Sequence, residues 1–163
     1  PALLGGGVLS WMQGDTAHAV PLACAEGVLQ PVVLLPSTTL STHQARGLLP
    51  EQVPHHDAVH NASRAALLVH ALTGAPELLL DATEDRLHQE QRSAGMPESI
   101  ELMKVLRREG HPAVVSGAGP SVLVLSGQRG DLAPVVRRFV TNPAAWRIAE
   151  VRLREIPSAP VVG

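Results

Sequence analysis

Aromatic residues are nearly missing from this chain: two Trp, one Phe and no Tyr occur among 163 residues. That scarcity removes the stacking platforms on which single-stranded nucleic acid is held, and it leaves core packing to Leu, Val, Ala and Ile. Neither sign of charge dominates, since 13 basic and 15 acidic side chains are mixed along the chain to a formal net charge of -2. With no basic face, nucleic acid is not expected as a partner. A single cysteine, Cys24, excludes an internal disulfide, and a reducing, cytoplasmic setting is expected. No apolar run approaches the roughly 20 residues of a membrane-spanning helix, so no membrane association is expected either. Residues 1–8 are apolar and Gly-rich without the basic start of a signal peptide, and they read as a segment inside a larger protein.

Hydrophobic residues make up 45% of the chain, enough to build a core for one domain or for one domain and part of a second lobe. Short apolar, β-branched runs at 7–12, 17–23 and 32–35 are separated by Gly14-Asp15 and by Gly27 with Pro31. They predict a small antiparallel meander. The Ser/Thr-rich stretch from Ser37 to Thr42 offers N-caps for one or two helical turns ending near Gly47. At 57–72, Ala58, Ala62, Ala65, Leu68, Val69 and Leu72 recur at helical spacing, with Gly74 placed as a C-cap. Two further helices are predicted, one starting near Pro76 and one over 97–108, each with proline in its first turn. Strands at 113–116 and 121–125 follow, then a helix at 131–140 and an alternating strand at 148–156. Hairpins mixed with crossovers favour an α+β class, a small antiparallel or mixed sheet with helices packed on one face, over a doubly wound sheet. The tail 157–163 is expected to fray.

Between the strands at 113–116 and 121–125 lies Ser116-Gly117-Ala118-Gly119-Pro120-Ser121. Glycines so placed serve either a tight turn or a close approach of backbone to ligand. No Lys-Ser/Thr follows, and the third glycine of a dinucleotide loop is missing, so neither nucleotide fingerprint is present. Arg86, His88 and Arg92 cluster just before Met96-Pro97. The planar fork of arginine suits a small carboxylate, although a solvated helix end would look the same. Asn61 and Arg64 share a helix face and could hold the polar ends of an amino acid, or simply face solvent. His55, His56 and His60 with Asp57 lack the intervening Glu and the third ligand of a zinc site, so no metal is assigned. Cys24 has no adjacent base and no nucleophile elbow occurs, which leaves a hydrolase without support.

Four stretches taken in order resemble homoserine kinases of the GHMP small-molecule kinase superfamily. They are Pro1-Ala2-Leu3-Leu4-Gly5-Gly6, Asn61-Ala62-Ser63-Arg64-Ala65-Ala66-Leu67-Leu68, 82–92 with Met96-Pro97, and the loop 116–121. The resemblance covers the chain up to its Pro-rich tail and is carried most specifically by the second and fourth stretches. It implies a ferredoxin-like α+β C-terminal lobe over 37–156, preceded at 1–36 by the end of an N-terminal lobe or by connecting strands. ATP and L-homoserine would bind in the cleft between the lobes, and O-phospho-L-homoserine would be the product.

By this resemblance Arg64 and Arg92, with Asn61 and Gly119, would hold homoserine, and Ser116, Gly117, Ala118, Gly119 and Ser121 would line the cleft near the phosphates. No residue is assigned a catalytic role, because phosphoryl transfer needs positioning and charge neutralisation above all. The family's phosphate loop and its Mg2+ ligands have no counterpart here, so ATP and Mg2+ belong to the complete enzyme and the chain alone is expected to be nearly inactive. Glu90 stands where relatives carry proline before the binding arginine. Partners would be the N-terminal lobe and, as in many relatives, a second copy in a homodimer. The rival readings are another GHMP kinase with a different alcohol substrate, which need not use Arg64 and Arg92, and a non-catalytic small-molecule-binding or dimerisation module.

Overall fold

The structure, a computed structural model, describes residues 7–24, 31–125 and 132–151. β1 (Gly7–Gln13) and β2 (Thr16–Leu22) pair antiparallel through a turn at Gly14, whose φ of 58° falls in the left-handed region that glycine tolerates. Leu9 faces Val20, and Trp11 faces and stacks on His18 with 5.2 Å between ring centroids. Leu9, Trp11, Met12 and Val20 stay exposed, so this ribbon buries little of its own apolar surface.

The expected meander does not extend to a third strand. β3 (Val32–Pro36) pairs instead inside a four-stranded antiparallel sheet of order β4-β5-β3-β6, with β4 (Ala113–Val115), β5 (Val122–Val124) and β6 (Trp146–Glu150). Apolar alternation marks a strand but not its partner, and the partners of β3 lie some 90 and 115 residues downstream. Burial explains the choice: Val32 and Leu34 are buried, as a central strand requires.

Of the N-cap candidates in the Ser/Thr-rich stretch, Ser41 is the one used, and it forms a capping box. Ser41 Oγ accepts from the Gln44 N–H and Gln44 Oε1 accepts from the Ser41 N–H, which starts α1 (Thr42–Gly47). α2 (His55–Thr73) matches the periodic segment closely, and Gly74 is its C-cap, but at φ -172° it is extended and any residue would serve. A 3-10 turn at Pro76–Leu78 leads into α3 (Leu79–Ala82), which is only one turn long because the Thr83 hydroxyl donates back to the Leu79 and Leu80 carbonyls. α4 (Pro97–Arg108) coincides with its prediction, and α5 (Leu132–Arg137) is shorter than expected. Asp131, the strand residues beyond 151 and the tail 157–163 lie outside the described residues.

β3, α4, β4, β5, α5 and β6 follow the split βαβ order of a ferredoxin-like domain, with α1 to α3 inserted before α4. α4 and α5 cover one sheet face: Ile100, Met103, Leu106 and Val136 pack on Val32, Leu34, Val122 and Val124. Burying each such side chain is worth about 1.5–3 kcal/mol. A smaller cluster of Ala71, Leu79 and Ala82 with Leu68, Leu72 and Leu125 joins α2 and α3 to the end of β5.

Leu106 is completely buried, so Leu106→Ala is expected to lower stability by about 2–5 kcal/mol in chemical denaturation. Gly74→Ala, at an extended φ with open space around the new methyl, should change it by less than about 1 kcal/mol.

Candidate functional site

Only six residues connect the last pair in β4 to β5, so the loop must reverse sharply. The Ser116 N–H donates to the Ser121 carbonyl at 2.8 Å and the Gly119 N–H to the Ser116 carbonyl at 3.1 Å. Gly117 and Gly119 take φ values of 63° and 89° to make this turn. A Cβ on Gly119 would fall 2.5 Å from Met96 Sδ, so this glycine is also required by packing against the start of α4. Buried Ser99, in the first turn of α4, donates to the Pro120 carbonyl at 2.6 Å and fixes the far side of the loop.

Facing the loop is a turn built on one carboxylate. Asp85 Oδ1 accepts from Asn61 Nδ2 at 2.7 Å and from the Leu87 N–H at 3.3 Å, and it lies 2.9 Å from His88 Nδ1. Asp85 Oδ2 accepts from the His88 N–H at 2.8 Å and the Gln89 N–H at 2.6 Å. Burial pushes the Asp85 carboxyl upward, but the bonds from Gln89, His88 and Asn61 outweigh it and bring its pKa from 3.8 to about 2. Asn61 completes the clamp by accepting the Arg86 N–H at 2.9 Å through its Oδ1. Gln89 then reaches across to the sheet, where its Oε1 accepts the Val115 N–H at 2.7 Å.

The turn continues into a 3-10 segment at Glu90–Gly95 that carries Arg92. Glu90 opens this segment and pairs with Lys104 of α4 at 2.8 Å. Arg92 Nη1 donates to the Gly117 carbonyl at 3.2 Å, and Arg92 Nε is buried without a hydrogen-bond partner among the described residues. Arg64, from α2, lies across the cleft: its Nη2 is 2.8 Å from Glu84 Oε2 and its Nε is likewise buried and unpartnered. His60 Nε2 approaches the same Glu84 oxygen at 3.3 Å.

Arg64, Arg92, Asn61 and Gly117 thus line one open cleft of about 620 Å3, floored by Leu123 and Val114 on the sheet face that α4 and α5 leave uncovered. Ser116, Ala118, Gly119 and Ser121 do not line it; they shape the loop behind it. Asn61 lines the cleft, yet both ends of its amide are engaged by Asp85 and Arg86. Sequence reasoning singled out neither Glu84 nor Asp85 nor Gln89. The one available signal was an Asp four residues before Gln, just past a helix end, where Asp caps free N–H groups.

Arg107, deeper in α4, has a structural task. Its guanidinium donates to the Leu80, Thr83 and Ala113 carbonyls and to the Thr83 hydroxyl, bolting α4 to α3 and β4. Desolvation lowers its pKa, partly offset by the charges of Glu84 and Asp81. Among the described residues no group of three or more His, Cys, Asp or Glu side chains converges as a metal site, and no helix is long and apolar enough to cross a membrane.

Residues 63–145 match the family model described as "GHMP kinases C terminal". The chain is 54% identical over 146 residues to the homoserine kinase of Clavibacter michiganensis subsp. michiganensis, covering 88% of this chain and 46% of that protein. It is 58% identical over 126 residues to the homoserine kinase of Streptomyces avermitilis, covering 77% and 41%. The chain therefore spans less than half the length of these relatives. The crystal structure of homoserine kinase from Cytophaga hutchinsonii shares the fold with a TM-score of 0.77 at 23% identity, over 93% of this chain and 49% of that one.

Because the Asp85 pKa is depressed in the folded state, the ionised carboxylate stabilises the fold above about pH 4, and this contribution is lost as pH falls toward 2. Asp85→Asn should therefore cost about 1 kcal/mol at neutral pH after allowance for solvent screening, with the gap to the unsubstituted protein narrowing below about pH 3. Thermal or urea denaturation across pH 2–7 measures this difference.

Proposed function

The chain belongs to the GHMP kinase C-terminal family, and from that premise we propose that it is the substrate-binding lobe of an ATP-dependent homoserine kinase. In this reading L-homoserine lies in the cleft between this lobe and an N-terminal one. Its hydroxyl oxygen attacks the γ-phosphorus of ATP, ADP leaves, and the hydroxyl proton is released, giving O-phospho-L-homoserine for threonine biosynthesis in the cytoplasm. The names and the 54–58% identities of the relatives support this substrate.

The observation that carries the reading is Arg92. Its guanidinium lines the cleft without an acidic partner among the described residues, and its Nε is desolvated and unpaired. A half-buried guanidinium that lines a cleft without a carboxylate partner favours an anion in that cleft. The homoserine carboxylate is such an anion. Arg64 offers a second unpaired Nε, but Glu84 already neutralises one arm, so Arg64 carries the smaller share. The Gly117 carbonyl holds one arm of Arg92, and Asn61 keeps the facing turn in shape.

ATP and Mg2+ fall to the N-terminal lobe. When bound, Mg2+ neutralises phosphate charge, but the acidic side chains lining this cleft are Glu84 and Asp85, and both oxygens of Asp85 are engaged within its own turn. The donor set lining this cleft does not fit the ion. The relatives' greater length supports a missing lobe, and so does the β1-β2 ribbon, whose exposed Leu9, Trp11, Met12 and Val20 offer an apolar surface for it. We assign that ribbon to the N-terminal lobe and the rest, with β3 added to the expected 37–156, to the substrate-binding domain.

In the intact enzyme, Arg92→Ala should raise the KM for L-homoserine about 10- to 100-fold, as expected for loss of a charge-assisted hydrogen bond, and leave the KM for ATP within about 3-fold. Arg64→Ala should act in the same direction but less. An unchanged homoserine KM in Arg92→Ala contradicts the assignment. The 163-residue chain alone should release no ADP above background in a coupled assay with homoserine, and robust turnover would refute the division of labour between lobes.

A further inference from the structure

Arg92 sits on a short 3-10 segment, which has little intrinsic rigidity. Something else must hold it in the cleft. The residues before it supply a chain of short contacts: Asn61 on α2 to Asp85, Asp85 to the Leu87, His88 and Gln89 N–H groups, and the Gln89 side chain to the Val115 N–H of β4. The Arg92 N–H itself is bonded to the His88 and Gln89 carbonyls at 3.3 Å each. His88 and Gln89, whose N–H groups Asp85 Oδ2 holds, are thus also the residues whose carbonyls receive the Arg92 N–H.

Resting on the substrate reading above, we propose that Asp85 is a positioning residue for substrate binding, acting through Arg92. It fixes the 85–89 turn against α2 and, through Gln89, against the sheet, so that the guanidinium is presented to the substrate carboxylate before substrate arrives. Asp85 does not touch the substrate. Both of its oxygens are taken up by its own turn and by Asn61, which leaves it no acceptor for a ligand. An amide at this position would keep the size but turn an NH2 group toward backbone donors, breaking the clamp on one side.

The test is a double-mutant cycle in the intact enzyme, with L-homoserine and ATP as substrates. Asp85→Asn alone should raise the homoserine KM about 10-fold, with kcat and the ATP KM within about 3-fold. In the Arg92→Ala background the same substitution should change the homoserine KM by less than about 2-fold, because the group it positions is gone. Independent multiplication of the two effects, or an unchanged KM in the single variant, overturns the proposal. Should Asp85→Asn fail to fold, Gln89→Ala, which severs the tie to Val115, takes its place with the same expected dependence on Arg92. Failure of the substrate reading would look different: Arg92→Ala alone would then leave the homoserine KM untouched.

Discussion

The guanidinium of Arg92 meets the carbonyl of Gly117 where the two halves of this cleft come together, beside the bond from the Val115 N–H to Gln89. On one side of it lies the loop between β4 and β5, held by two positive-φ glycines and by Ser99 on α4. On the other lies the turn that Asp85 caps. Neither side would keep its shape as an isolated peptide. A guanidinium half-buried in the cleft wall, with no acidic partner among the described residues, favours an anion over water in a way that a solvated surface arginine does not.

The rest of the fold makes that contact possible. α4 and α5 fill one face of the four-stranded sheet with Leu, Ile, Met and Val, and the other face is left for the cleft and for α2. Arg107 bolts α4 to α3 and β4 with four hydrogen bonds to neutral acceptors, so the loop, the turn and the sheet share one frame. Glu84 works in the opposite direction to Arg92. It neutralises Arg64 and ties α2 to the turn, which makes the two arginines unequal although the sequence treats them alike.

Much of this was legible from residue order. α2 and α4 followed from apolar spacing and from proline in the first turn, and an N-cap for α1 was visible in the Ser/Thr-rich stretch, though not which residue or its Gln44 partner. The glycine loop could be located because only glycine takes positive φ readily, and Arg92 because arginine next to a Met-Pro helix start stood out beside the family resemblance. What was not legible involves long-range partners. β3 looked like a third hairpin strand until β5 and β6 paired with it. Asn61 looked like a ligand because its partner Asp85 lies 24 positions away. Asp85 itself hid in a charged stretch, since a carboxylate that accepts backbone N–H groups has the same letter as one that faces water.

The most direct measurement is a crystal structure of the intact enzyme with L-homoserine bound. The account predicts a substrate carboxylate oxygen about 2.7–2.9 Å from the Arg92 guanidinium, with the Asp85 turn unchanged. A homoserine carboxylate held by other residues, with Arg92 pointing to solvent, would contradict it.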